Sequence, residues 1–139
     1  MINNSNSKAN SKTVKSVCAI VKYNNKVCLE PNDSKDNEHL WKFPTVVVDP
    51  SEIVISALVK YINENFKIDI DTVDVNYFCN IKHKCETYFL DIDSFIVDIN
   101  SLTIKDNILN TKNWFEIENL FNVPLTAEAV TLAQVLMEC

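Results

Sequence analysis

An α+β fold is predicted by three observations. Two β-branched apolar runs joined by an Asn-Asn pair open the chain, an amphipathic helix with a strong start signal follows, and a meander of short strands leads to a second capped helix at the C-terminus. At 139 residues with 47% apolar residues, the chain has the size and composition of one domain that buries an ordinary core. No repeat and no internal boundary divides it, so residues 13–139 are expected to form one unit behind a flexible N-terminal tail, residues 1–12.

From Thr13 to Tyr23 the apolar residues are dense and β-branched. Asn24-Asn25 then supplies a turn, and Lys26 to Glu30 resumes the pattern, which predicts a β-hairpin. Pro31 to His39 is a polar loop, Leu40-Trp41-Lys42-Phe43-Pro44 returns to apolar alternation, and Val46-Val47-Val48 completes a short strand. Asp49-Pro50-Ser51-Glu52 places an N-cap residue, a proline at the first helical position and a glutamate three residues on, so a helix is predicted over about 50–66. Its apolar residues, Val54, Ala57, Leu58, Tyr61, Ile62 and Phe66, recur at three- and four-residue intervals. Glu52, Ser56, Lys60 and Glu64 fall within a sector of about 120° on another side.

Farther on, Val73 to Ile81 and Glu86 to Ile92 read as strands around a turn at Lys82-His83-Lys84, and Phe95 to Ile99 as a further strand. Leu102 to Lys112 has no clear period, Trp114 to Ile117 suggests a last short strand, and a helix capped by Thr126 is predicted over about 126–138.

Composition excludes several function classes. Glycine is absent, which rules out Gly-rich phosphate loops and leaves Asn, Asp or Lys to serve every backbone position with positive φ. All 13 basic residues are lysines, and the net charge is −6. Without arginine forks, and with an acidic balance, broad nucleic-acid binding is disfavoured; a small ligand or a protein partner is expected. Five cysteines without a CxxC spacing or a secretory signal predict reduced thiols and a cytoplasmic protein. Cys79, His83 and Cys85 match no common zinc spacing, and strand packing accounts for them. No apolar run approaches the roughly 20 residues that cross a bilayer, so no membrane association is expected.

Trp41 to Ile70 resembles, without gaps, the box of the Nudix (MutT-like) hydrolase superfamily. Trp41, Phe43 and Pro44 stand at its entry, Asp49 and Glu52 at its acidic turn, and Ala57, Ile62, Glu64 and Ile68 on or after its helix. Trp114-Phe115-Glu116-Ile117 and Val27-Cys28-Leu29-Glu30 are similar to strands outside the box. The box is degenerate: Thr45, Val46, Ser51 and Lys67 replace glycines, Lys60 replaces arginine, and Tyr61 and Asn65 replace two helix glutamates.

The resemblance implies a Nudix-like α/β/α sandwich with a mixed sheet. It also implies a site in which Glu64 and Glu52 are the candidate metal ligands and catalytic carboxylates, Lys60 assists them, and Trp41 and Phe43 contact the ligand. Attack of water on a diphosphate in this family uses divalent cations held by carboxylates, so Mg²⁺ or Mn²⁺ is the implied cofactor if the protein is active, and none otherwise. With one carboxylate where three are expected, the reading is a Nudix-fold protein with impaired or absent pyrophosphohydrolase activity that binds a nucleotide-like ligand or a protein partner. The alternative is an active hydrolase of nucleoside diphosphate-linked compounds that recruits a carboxylate from the loop around Asp106. Blander roles stand beside these: Glu52 as part of a capping box, Glu64 as a surface residue, Trp41 and Phe43 as core or pocket wall.

Overall fold

The computed structural model describes residues 12–32, 39–100 and 112–138. Seven strands, β1 (Lys12–Tyr23), β2 (Lys26–Pro31), β3 (Trp41–Lys42), β4 (Thr45–Val46), β5 (Val75–Lys84), β6 (Tyr88–Asp98) and β7 (Asn113–Glu116), form one sheet, with helices α1 (Val54–Phe66) and α2 (Ala127–Met137). The strand order is β3-β2-β1-β6-β5, with β4 paired to β1 and β7 to β2. β1 and β6 run parallel and the other pairs antiparallel, so the sheet is mixed as expected. Because Lys12 already pairs with Tyr88, β1 reaches one residue into the expected tail; the rest of that tail lies outside the described residues.

β1 shows why the run reads as solid apolar rather than alternating. Val17, Ala19 and Val21 enter the cluster under α1, which includes Leu58, Ile62 and Phe66, whereas Cys18 and Ile20 enter the cluster under α2, with Leu132, Ala133 and Leu136. A strand covered on both faces needs apolar residues at every position. Leu58, Ile62 and Phe66 are at most 1% exposed, and each contributes about 1.5–3 kcal/mol by burial.

The left-handed positions fall as a glycine-free sequence requires. Asn24, in the β1–β2 turn, has φ 55°, and Lys67, which ends α1 with φ 55° and ψ 40°, donates its N–H to the Asn63 carbonyl at 3.1 Å. α2 is capped as expected, with Thr126 Oγ1 accepting from the Ala129 N–H at 3.3 Å.

Several boundaries differ from the sequence expectation. α1 begins at Val54, not near residue 50, and its N-cap is Ile53 in an extended conformation. Asp49 to Glu52 forms a separate turn: the Glu52 N–H donates to the Asp49 carbonyl at 2.9 Å, and the Asp49 N–H donates to Glu52 Oε1 at 2.9 Å. Proline at the second position and aspartate at the first favour a turn as much as a helix start, so one signal served both structures. The strand expected over Val46 to Val48 stops at Val46, and Val47 is 88% exposed.

The turn expected at Lys82-His83-Lys84 instead follows Lys84, because pairing with β6 holds these residues to the end of β5, with His83 opposite Leu90. The two strands expected over residues 86–92 and 95–99 are one, β6. Asp93 and Ser94 interrupt its apolar pattern without breaking it: fully buried Ser94 donates to the Cys79 carbonyl at 2.8 Å beside a register shift in β5, so the bulged backbone stays satisfied.

Candidate functional site

The box residues meet where β4 turns into α1. Glu52 arrives on the Asp49–Glu52 turn, while Lys60, Tyr61 and Glu64 project from the middle of α1, held by the buried stripe behind them. Together with Thr45, Val46, Val47 and Ala57 they line a pocket of about 350 Å³. Glu64 lies one turn beyond both Lys60 and Tyr61, so the pocket takes in the polar side of the helix at Lys60 and Glu64 and the edge of its apolar stripe at Tyr61. Glu52, Lys60 and Glu64 are exposed; Tyr61 is half-buried, and burial above all, followed by the negative charge of Glu30, raises its phenol well above the ordinary value. Tyr61 therefore stays neutral at physiological pH and acts as pocket wall.

Asn65, at one of the two positions where a glutamate was expected, does not line this pocket. Its amide donates back to the Tyr61 carbonyl at 2.9 Å, one turn earlier in α1. The neighbouring Asn63 is also committed: its side-chain oxygen accepts from the Ile70 N–H at 2.8 Å and fastens the segment leaving the helix. Among the described residues, no three His, Cys, Asp or Glu side chains come together as a metal-binding group. Asp106, the candidate outside ligand, lies outside the described residues.

Thr45 forms a wall shared with a second, narrower pocket on the α2 side of the sheet. This one holds about 160 Å³ and is lined by Ser16, Cys18, Asn32, Lys42, Phe43, Thr45, Leu90, Ile92 and Glu128. Phe43 is 1% exposed and supplies the floor of that pocket while belonging to the core under α2. Lys42 Nζ lies 3.6 Å from Glu30 Oε2, an ion pair at its edge. Burial pushes the Cys18 thiol up to about 12, with Glu128 adding to it, so it remains a neutral apolar lining group.

Trp41 is placed differently. Its ring packs edge-on against Phe115 at 5.0 Å between centroids, its N–H donates to the Pro124 carbonyl at 2.8 Å, and its carbonyl accepts from the Thr126 N–H at 3.0 Å. The bonds dock β3 onto the segment that leads into α2. Of the residues singled out from sequence, Glu52, Lys60 and Glu64 thus share one pocket, Phe43 lines its neighbour, and Trp41 holds the frame.

Sequence reading missed Thr45 as the hinge between the pockets, along with Asn32, Lys42 and Glu128. The signal for Lys42 was only its polar character between Trp41 and buried Phe43. Nothing local marks Glu128, because only the docking of α2 brings it to the pocket.

No family model matches the chain. Nudix hydrolase 10 of Arabidopsis thaliana is 29% identical over 92 residues, covering 63% of this chain and 32% of that protein, so the chain spans about a third of its curated relative. The solution structure of the E. coli ORF135 protein superposes with a TM-score of 0.65 at 21% identity over 94% of this chain and 92% of that one. The NUDIX domain of Shewanella oneidensis NrtR, cocrystallised with ADP ribose, gives 0.67 at 14% identity over 94% and 90%. NrtR has also been solved with a 27mer DNA, with a TM-score of 0.65 at 13% identity over 86% of this chain and 58% of NrtR. Superposition at TM-scores of 0.65 to 0.67 over most of the chain shows the fold that these proteins share: the chain has the Nudix fold of the MutT-like hydrolases.

Proposed function

We propose that the protein binds a nucleoside diphosphate-linked compound without hydrolysing it. The observation that carries this reading is the pair of pockets on either side of Thr45, each with a lysine and carboxylate in its lining and the second also lined by Phe43, Leu90 and Ile92. A ligand that joins a diphosphate to a planar ring has one part for each, and the pair is in the size range of small-molecule sites. Lys60 offers the first pocket a single point charge for phosphate, and Lys42 stands at the rim of the other.

The donor set does not fit a resident divalent cation. Glu52 and Glu64 share the pocket with the ammonium of Lys60, Asn65 is turned into its own helix, and Tyr61 fills the space of a further acid. Mg²⁺ and Mn²⁺ want several anionic oxygens in a near-octahedral set, so no chemical step is assigned to this pocket. The net charge of −6 and the absence of arginine support a small ligand over a nucleic acid.

Calorimetric titration with ADP-ribose in the presence of EDTA tests the reading. One-to-one binding is expected, weakened about threefold to tenfold by Lys60→Ala, the range for an exposed charge-assisted contact. No heat at millimolar ligand, or binding unchanged in Lys60→Ala, contradicts it.

A further inference from the structure

A third cavity near the box, about 770 Å³ and larger than the two pockets above, belongs to neither of them in its greater part. It runs along Thr13, Val14, Lys15, Ser16 and Val17 of β1 and faces Val46 to Pro50, with Glu52, Val54, Leu90 and Asp93 at its ends. Five consecutive residues of one strand point to both faces of the sheet, so the groove takes in the strand's edge, and Leu90 and Asp93 of β6 show that it also reaches across the strand.

That edge is open. β1 pairs with β6 along Lys12 to Lys22, but on its other side β4 pairs only at Val17–Val46 and Cys18–Thr45, and the Ala19 N–H donates to the Pro44 carbonyl at 3.0 Å. Peptide groups alternate sides along a strand, so Ala19 fixes which residues face away from β6: Val17, Lys15 and Thr13. Val17 meets β4. Beyond Val46 the chain diverges toward the Asp49 turn, and no backbone bond from the described residues reaches the N–H or carbonyl of Thr13 or Lys15, both of which are exposed. A wedge thus opens between two backbones at the place where the sequence suggested a continued strand.

The walls of the wedge define what fills it. Val14, Val17, Val46, Val47, Val48, Pro50, Val54 and Leu90 make most of it apolar, and Asp49, Glu52 and Asp93 contribute three carboxylates against the one ammonium of Lys15. That ammonium already lies 3.7 Å from Asp91 Oδ2. An added segment therefore meets unpaired backbone groups, apolar side walls and an uncompensated negative charge.

We propose that the edge of β1 is a docking site for an extended segment of a partner protein with alternating apolar and basic residues, added to the sheet as a further strand beside Thr13–Val17. Backbone bonds to Thr13 and Lys15 give the register, the valine walls take the apolar side chains, and Asp49, Glu52 and Asp93 select lysine or arginine between them. This inference does not depend on what the Thr45 pockets bind.

The probe is a capped seven-residue peptide alternating valine and lysine, titrated into the ¹⁵N-labelled full chain, with a valine–glutamate peptide as control. The expected result is amide shifts confined to residues 13–17 and 46–52, with slowed hydrogen exchange at Thr13 and Lys15. Thr13→Pro removes one outward donor and keeps the strand's bonds to β6, which edge strands tolerate. It is expected to weaken the lysine peptide about threefold to tenfold, the range for one backbone bond. Asp93→Asn is expected to narrow the preference for lysine over glutamate without unfolding the sheet. Shifts elsewhere, equal binding of both peptides, or no binding at millimolar peptide overturns the proposal. So does a concentration-dependent dimer abolished by Thr13→Pro, which would assign the edge to a second copy.

Discussion

Replacing Lys67 by glycine raises the stability of the protein, although it removes a side chain and adds none. Lys67 holds φ 55° and ψ 40°, where a side chain costs roughly 1–2 kcal/mol relative to glycine. The residue is exposed and its side chain makes no hydrogen bond or ion pair among the described residues, so little is lost with it. Against the relief stands the extra freedom of glycine in the unfolded chain, about 0.4–1 kcal/mol. The difference is about 0.5–1 kcal/mol in favour of Lys67→Gly. A 139-residue domain has an unfolding entropy of about 0.3 kcal/mol/K, so this corresponds to a rise in Tm of about 2–3 °C.

Urea and thermal denaturation followed by circular dichroism measure it. Lys67→Ala, which keeps a Cβ, serves as the control and gains nothing. A Lys67→Gly protein no more stable than Lys67→Ala would show that α1 does not end in the left-handed conformation, and with it the geometry assigned to the box would fail.

Thr126→Ala removes the N-cap of α2 and lowers stability by about 1 kcal/mol, while Thr126→Ser retains most of it; denaturation midpoints check both. Cys18 and Cys28, whose thiols burial pushes up to about 12 and about 11, resist iodoacetamide at pH 8.5 in the folded protein, and mass spectrometry finds that, of the four described cysteines, Cys79 and Cys85 are labelled before them. The Asp91 carboxyl is held below its ordinary value, first by the hydrogen bond from the Asn80 amide and then by Lys82 and Lys15, with desolvation opposing. A depressed carboxyl stabilises the fold fully above its unfolded value, near pH 4, and loses that contribution as pH falls through the folded one. Asp91→Asn therefore flattens the loss of stability below about pH 4, which acid titration of unfolding detects.

The parts of the fold governed by local chemistry were legible in the sequence. The Asn24-Asn25 hairpin, the apolar stripe Leu58-Ile62-Phe66, the Thr126 cap and the Trp114 strand depend on neighbours in the chain, and each stands where its pattern put it. What failed depended on distant partners. His83 looked like a turn residue until β6 paired with it, and Val46-Val47-Val48 looked like a strand because divergence from β1 leaves no mark in three valines.

The Asp49-Pro50-Ser51-Glu52 signal was chemically right and positionally wrong, since its Glu52-to-Asp49 bonds close a turn that Ile53 separates from the helix. For the site, helical spacing set Lys60 and Glu64 together and Tyr61 on the apolar stripe; the pocket holds all three, and Glu52 reaches it from the turn rather than from the helix. Asn65 and Trp41 show the limit. Whether a side chain faces a cavity, its own helix or a neighbouring strand is decided by packing that spacing does not encode.

The central claim is that this Nudix fold holds a diphosphate-linked ligand without cleaving it. The direct test is a turnover assay on a panel that includes ADP-ribose, with Mg²⁺ and then Mn²⁺, comparing the native chain with Glu64→Gln. No product above background with either protein, under conditions where the native chain is saturated with ligand, is the predicted result. Metal-dependent product from the native chain that disappears in Glu64→Gln would contradict it and establish the pocket of Glu52, Lys60 and Glu64 as a working hydrolase centre.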